Sequence, residues 1–135
     1  EGEQRVPNFY MLLIGVNEYK DPTMNLQFPV KDARAIGKAL SCSAERFLGK
    51  ERIFVYNVQN NIGNDNIFTT PERNGVIKAL RDISQKASTS DILLIFFAGH
   101  GVMRGSDDSF TFLTFLHSRS PYILDVLTFS ITLHL

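Results

Sequence analysis

Asp91-Ile-Leu-Leu-Ile-Phe-Phe-Ala-Gly-His100-Gly-Val-Met-Arg104 sets six large apolar residues, Ile92 to Phe97, just before a histidine held between two glycines. An apolar run without alternation reads as a strand buried on both faces, the mark of a parallel sheet. The run ends in Ala98 and Gly99, where the chain can turn sharply and present one imidazole.

Two more runs of the same kind lie upstream. Phe9-Tyr-Met-Leu-Leu-Ile-Gly-Val16 is continuous and apolar, and Arg52-Ile-Phe-Val-Tyr-Asn-Val58 is strand-like. Between them, Pro29 to Leu40 has helical spacing, with Val30, Ala33, Ile36 and Leu40 on one face. A second helix is predicted from Thr70-Pro71, a threonine cap followed by a proline that loses no hydrogen bond there. Val76, Ile77, Leu80, Ile83 and Ala87 supply its apolar face, and Ser88 to Ser90 end it. Ser109-Phe-Thr-Phe-Leu-Thr114 alternates and predicts one short extra strand.

Strand, helix, strand, helix, strand predicts an α/β chain: a three-layer sandwich on a mostly parallel sheet. Ligands bind beyond the carboxyl ends of such strands, where strand order reverses. With strands one and three as neighbours, Asn17–Gln27 and Gly99–Arg104 share that rim. His100 therefore stands where this architecture keeps its chemistry.

Composition narrows the function classes. The 135 residues suit one domain, with 44% hydrophobic and 21% charged residues. Lys plus Arg and Asp plus Glu number 14 each, so no net field favours nucleic acid or an anionic membrane. Cys42 is the only cysteine, which excludes a disulfide within the chain and points to a reducing, cytoplasmic setting. His100, His117 and His134 with one cysteine make no zinc-spaced cluster, and no metal or cofactor is expected. No secretory signal and no membrane-length apolar stretch is visible. The chain opens on Glu1 rather than Met, which reads as a piece of something longer.

An imidazole titrates near neutral pH and can carry protons, and a stiff strand behind it would hold the ring still. A base needs a nucleophile to act on. Cys42, in Leu-Ser-Cys-Ser-Ala, reads as a small, partly buried helix residue; Ser106 and Ser109 carry no nucleophile-elbow pattern. A phosphate-binding doubly wound domain would need a Gly-rich loop after the first strand, and Gly15-Val-Asn-Glu-Tyr19 has one glycine.

Phe96-Phe-Ala-Gly-His-Gly101 resembles the histidine segment of caspase-like cysteine peptidases, the superfamily that includes metacaspases. Other segments match in order. Leu12-Leu-Ile-Gly-Val-Asn-Glu-Tyr19 resembles the first strand and its loop, and Leu26-Gln-Phe-Pro-Val-Lys-Asp-Ala33 the segment opening the first helix. Thr70-Pro-Glu-Arg-Asn-Gly-Val-Ile77 is similar to the start of the second helix, and Asp107-Asp-Ser-Phe-Thr-Phe-Leu113 to the stretch after the histidine. The likeness covers residues 8–114, expected as a partial caspase-like catalytic domain, with 115–135 an atypical apolar tail.

The resemblance implies a cysteine-type endopeptidase acting on peptide or protein substrates. It implies that His100 is the catalytic histidine and that the Gly101 backbone N–H serves the oxyanion hole. It implies that Asp32 binds substrate, receiving an Arg or Lys side chain as in metacaspases; otherwise Asp32 is a helix-start carboxylate favoured by the dipole. Ala98 stands where metacaspases often have serine, and Phe28 where glycine is usual. Some relatives use calcium through acidic clusters, which Asp107-Asp108 does not by itself support.

In the family the nucleophilic cysteine ends the next core strand, often in an Asp-x-Cys context. Phe115 to Leu135 contains no cysteine, so no nucleophile is identified here. Truncation, an altered reading frame after about Thr114, and a degenerate homologue all fit. An alternative to the enzyme is a non-catalytic caspase-like binding or regulatory module. Either way, a sheet ending at the third strand offers an edge through which copies can self-associate, unless the tail covers it.

Overall fold

A computed structural model describes residues 5–61, 63, 66–103 and 110–112, with 101–103 and 110–112 as backbone. Five strands and two helices follow in the order β1 Phe9–Gly15, α1 Pro29–Leu48, β2 Ile53–Gln59, α2 Arg73–Lys86, β3 Ile92–Ala98, β4 Gly101–Met103 and β5 Phe110–Phe112.

β1 lies between β2 and β3, and both pairings are parallel. Gly15 pairs with Gln59 on one side and Ala98 on the other, so the three strands end level. Strand order reverses across β1, which creates the rim expected from the sequence.

Alternation along β1 builds the layers. Tyr10, Leu12 and Ile14 face α2 and pack with Val76, Ala79 and Ile83. Met11 and Leu13 face α1 and pack with Ala33 and Leu40. Each side chain from Met11 to Ile14 is fully buried, and full burial of one such side chain is worth roughly 1.5–3 kcal/mol. The result is the expected α/β sandwich: helix, parallel sheet, helix.

Several local expectations are corrected. α1 runs eight residues past Leu40, to Leu48. Its buried positions are Pro29, Val30, Ala33 and Gly37, whereas Ile36 is exposed. Gly37 replaces Ile36 because the helix backbone lies against Leu13; a Cβ at position 37 would collide with the Leu13 Cδ1 methyl. α2 begins at Arg73 rather than near Thr70. Pro71 is fully buried, and a Cβ on Gly75 would collide with the Thr70 carbonyl, so residues 69–72 wrap the first turn instead of joining it.

β3 is not buried on both faces. Ile92, Leu93 and Ile95 are 44%, 46% and 46% exposed, because β3 is one of the two outer strands of the three described in this sheet. Gly101 opens β4, and β4 pairs antiparallel with β5 from Gly101–Phe112 to Met103–Phe110. β5 falls inside the extra strand predicted over 109–114; the tail 115–135 lies outside the described residues. Among the described residues, no helix is long and apolar enough to cross a membrane.

Candidate functional site

The rim is built on a close approach of helix to strand. A Cβ on Gly15 would lie 2.9 Å from the Val30 Cα and 3.0 Å from the Pro29 carbonyl oxygen. The first turn of α1 therefore rests directly on the end of β1. The residue before α1, Phe28, makes no side-chain capping bond. Asn17 replaces it from outside, its Oδ1 accepting the Val30 N–H at 3.0 Å. Such a cap is typically worth about 1 kcal/mol.

Asn17 also fixes the loop after β1. Its N–H donates to Asn60 Oδ1 at 2.7 Å, and its carbonyl accepts the Leu26 N–H at 2.8 Å. Within the loop, the Tyr19 N–H donates to Asn25 Oδ1 at 2.8 Å. Asp21 starts a 3-10 turn, Pro22–Met24, by accepting the Thr23 hydroxyl at 2.7 Å and the Thr23 N–H at 3.0 Å. Those two bonds hold the Asp21 carboxyl below its ordinary range.

This scaffold presents two groups to His100. The Met24 carbonyl oxygen lies 2.8 Å from His100 Nε2. A carbonyl can only accept, so the bond requires a hydrogen on Nε2. In the neutral ring that leaves Nδ1 with the basic lone pair. The Tyr19 hydroxyl accepts the His100 backbone N–H at 2.7 Å. The two rings meet edge to face, with centroids 4.9 Å apart and planes at 60°. Burial pushes the Tyr19 hydroxyl pKa up, and the bond from the His100 N–H partly opposes it.

Gly99 makes this contact possible. A Cβ there would stand 2.8 Å from the Tyr19 hydroxyl and 3.1 Å from the Phe97 ring. The glycine before the histidine thus serves an approach by the protein's own tyrosine.

The other sequence candidates fall as follows. Gly101 opens β4 directly after His100. Asp32 is exposed in the first turn of α1, its N–H bonded to the Phe28 carbonyl at 2.8 Å. Both belong to the same end of the sheet, but among the described residues no hydrogen bond joins Asp32 to His100. Phe28 is 61% exposed beside it. Cys42 is exposed rather than partly buried, because the residues after Leu40 continue as helix and turn it outward. It follows Pro29 by 13 residues along α1, about 20 Å from the rim end of that helix.

Composition and spacing single out none of three further participants. Tyr19 was visible only as one residue of a family-like loop. The Met24 contribution is a backbone oxygen, which no residue type advertises. Gln59 is fully buried at the end of β2; its Oε1 accepts from Arg34 Nε at 3.0 Å, and its Nε2 donates to the Leu13 carbonyl at 3.3 Å. A polar residue ending an apolar strand was the available hint.

A family model, the caspase domain, matches residues 9–129. No curated protein matches the chain. The matched region takes in all three parallel strands, both helices and the histidine rim. The chain belongs to the caspase domain family of peptidases.

Proposed function

We propose that this chain supplies the histidine side of a caspase-like cysteine endopeptidase site. His100 Nδ1 takes the thiol proton as sulfur attacks the scissile carbonyl, and later delivers it to the departing amine. The Gly101 N–H donates to the developing oxyanion, a contribution of about 3 kcal/mol in comparable sites. Asp32, at the rim end of α1, binds the side chain preceding the cut; its charge suits Arg or Lys. Cys–His chemistry of this kind uses no metal or cofactor.

The observation that carries this reading is the Met24–His100 bond, because it occupies Nε2 with a hydrogen and leaves the lone pair on Nδ1. The thiol is assigned to a cysteine outside these 135 residues, since Cys42 lies far along α1. The same fact favours a second reading, a caspase-like module that binds without cutting.

One experiment separates the two. The coding sequence beyond the Thr114 codon is determined, and the longer product is assayed on fluorogenic peptides. The peptidase reading expects a strand ending in Asp-x-Cys and turnover abolished by His100→Ala. Binding without turnover supports the module. Alkylator-sensitive turnover by the 135 residues alone, lost in Cys42→Ala, would overturn the assignment of the thiol.

A further inference from the structure

We infer that the flank of α2 turned away from β3 is a docking groove for an acidic peptide segment bearing one large apolar side chain. The groove encloses about 520 Å³. Two adjacent rows of α2 at i, i+4 spacing form one wall: Arg73, Ile77, Arg81 and Gln85, and beside them Asn74, Lys78 and Asp82. Phe68, from the segment after β2, forms the other wall and is 38% exposed.

The charge in this groove is unbalanced. Arg73, Lys78 and Arg81 face one carboxylate, Asp82. That carboxylate is already engaged: it accepts the Tyr56 hydroxyl at 2.6 Å and pairs with Lys86 at 3.0 Å. The Lys86–Asp82 contact is the only ion pair among the described residues; none of the three groove cations is in it, and of the three Lys78 adds a weaker attraction to Asp82. Arg73 and Arg81 are eight residues apart, about 12 Å along the helix, a span that matches a few residues of extended peptide. Lys78 Nζ stands 5.7 Å from the centre of the Phe68 ring. That places a cation directly over the apolar wall, so carboxylates and an apolar side chain can be met together.

A peptide fits better than a nucleic acid. The chain carries 14 basic and 14 acidic residues, so no long-range field supports binding a polyanion along its length. The apolar wall of Phe68 and Ile77 suits a side chain. The groove lies on the β2 side of α2, whereas the apolar flank of Leu80, Ile83 and Ala87 faces β3. Asn17, Tyr19, Met24 and His100 of the histidine rim do not line this groove.

The test is fluorescence anisotropy of the 135-residue chain with a fluorescein-labelled Asp-Glu-Glu-Phe-Glu-Asp peptide. Saturable binding is expected, weakening as ionic strength rises. The Arg73→Glu/Arg81→Glu pair weakens it about tenfold or more. Lys78→Gln or a serine in place of the peptide's phenylalanine weakens it several-fold. Arg46→Glu, on α1 across the sheet, leaves it within about twofold; circular dichroism confirms that each variant folds. Absence of saturable binding, equal loss in Arg46→Glu, or tighter binding of a short oligothymidylate would overturn the inference.

Discussion

The Tyr19 hydroxyl accepts the His100 backbone N–H at 2.7 Å while its ring stands edge-on to the imidazole. One side chain thus fixes both the backbone and the ring of the residue at the centre of the site. Tyr19→Phe keeps the ring contact and removes the acceptor. A partly buried N–H left without a partner costs roughly 1–3 kcal/mol. Urea unfolding should show that loss, and amide exchange at His100 should quicken. Unchanged exchange at His100 would contradict the role given to the hydroxyl.

Gly37 is required by packing rather than by backbone conformation. Alanine is the better helix former by about 1 kcal/mol. At position 37, however, its Cβ collides with a methyl of the fully buried Leu13. Overpacking of this kind costs typically about 1–3 kcal/mol. Gly37→Ala should therefore not stabilise, and Gly37→Val should destabilise clearly in chemical denaturation. A more stable Gly37→Ala protein would show that α1 can move away from β1.

Asp91 joins the start of β1 to the turn before β3. Its carboxylate accepts the Ser88 N–H at 2.8 Å and the Asn8 N–H at 2.9 Å. The Ser88 bond, then the Asn8 bond, lower its pKa from an ordinary 3.8. A folded pKa below the unfolded one contributes stability above 3.8, lost as pH falls through the folded value. Asp91→Asn should lower the Tm at neutral pH, and the gap to the unaltered chain should close as the solution becomes acidic. A gap that stays constant with pH would remove the carboxylate from this account.

The outer edge of β3 carries three half-exposed aliphatic side chains, Ile92, Leu93 and Ile95. Among the described strands β3 pairs with β1 alone, and unpaired apolar edges recruit other strands. Sedimentation velocity should show concentration-dependent association of this chain, reduced by Ile95→Lys. Equal association in both would place the contact elsewhere.

The elements that position the site were legible because strong physics specifies them. The Phe9–Val16 and Ile92–Phe97 runs can bury themselves only as central strands or as strands awaiting a neighbour. The glycines around His100 marked the rim. What stayed hidden depends on distances that no pattern encodes. The Met24 carbonyl reaches His100 across 76 residues, and the Asn17 side chain caps a helix that starts 12 residues later. Ile36 fitted the apolar face by type, yet Gly37 holds the contact because α1 sits too close for a side chain. The Ile92–Phe97 run suggested burial, but burial also needs a neighbour on each side, and β3 has β1 alone among the described strands.

The tautomer of His100 tests the central claim most directly. Two-bond 15N–1H spectra of the neutral ring distinguish a protonated Nε2 from a protonated Nδ1. The bond to the Met24 carbonyl predicts hydrogen on Nε2 and a bare, pyridine-like Nδ1. A ring carrying its hydrogen on Nδ1 would contradict the assignment of that nitrogen as the proton acceptor.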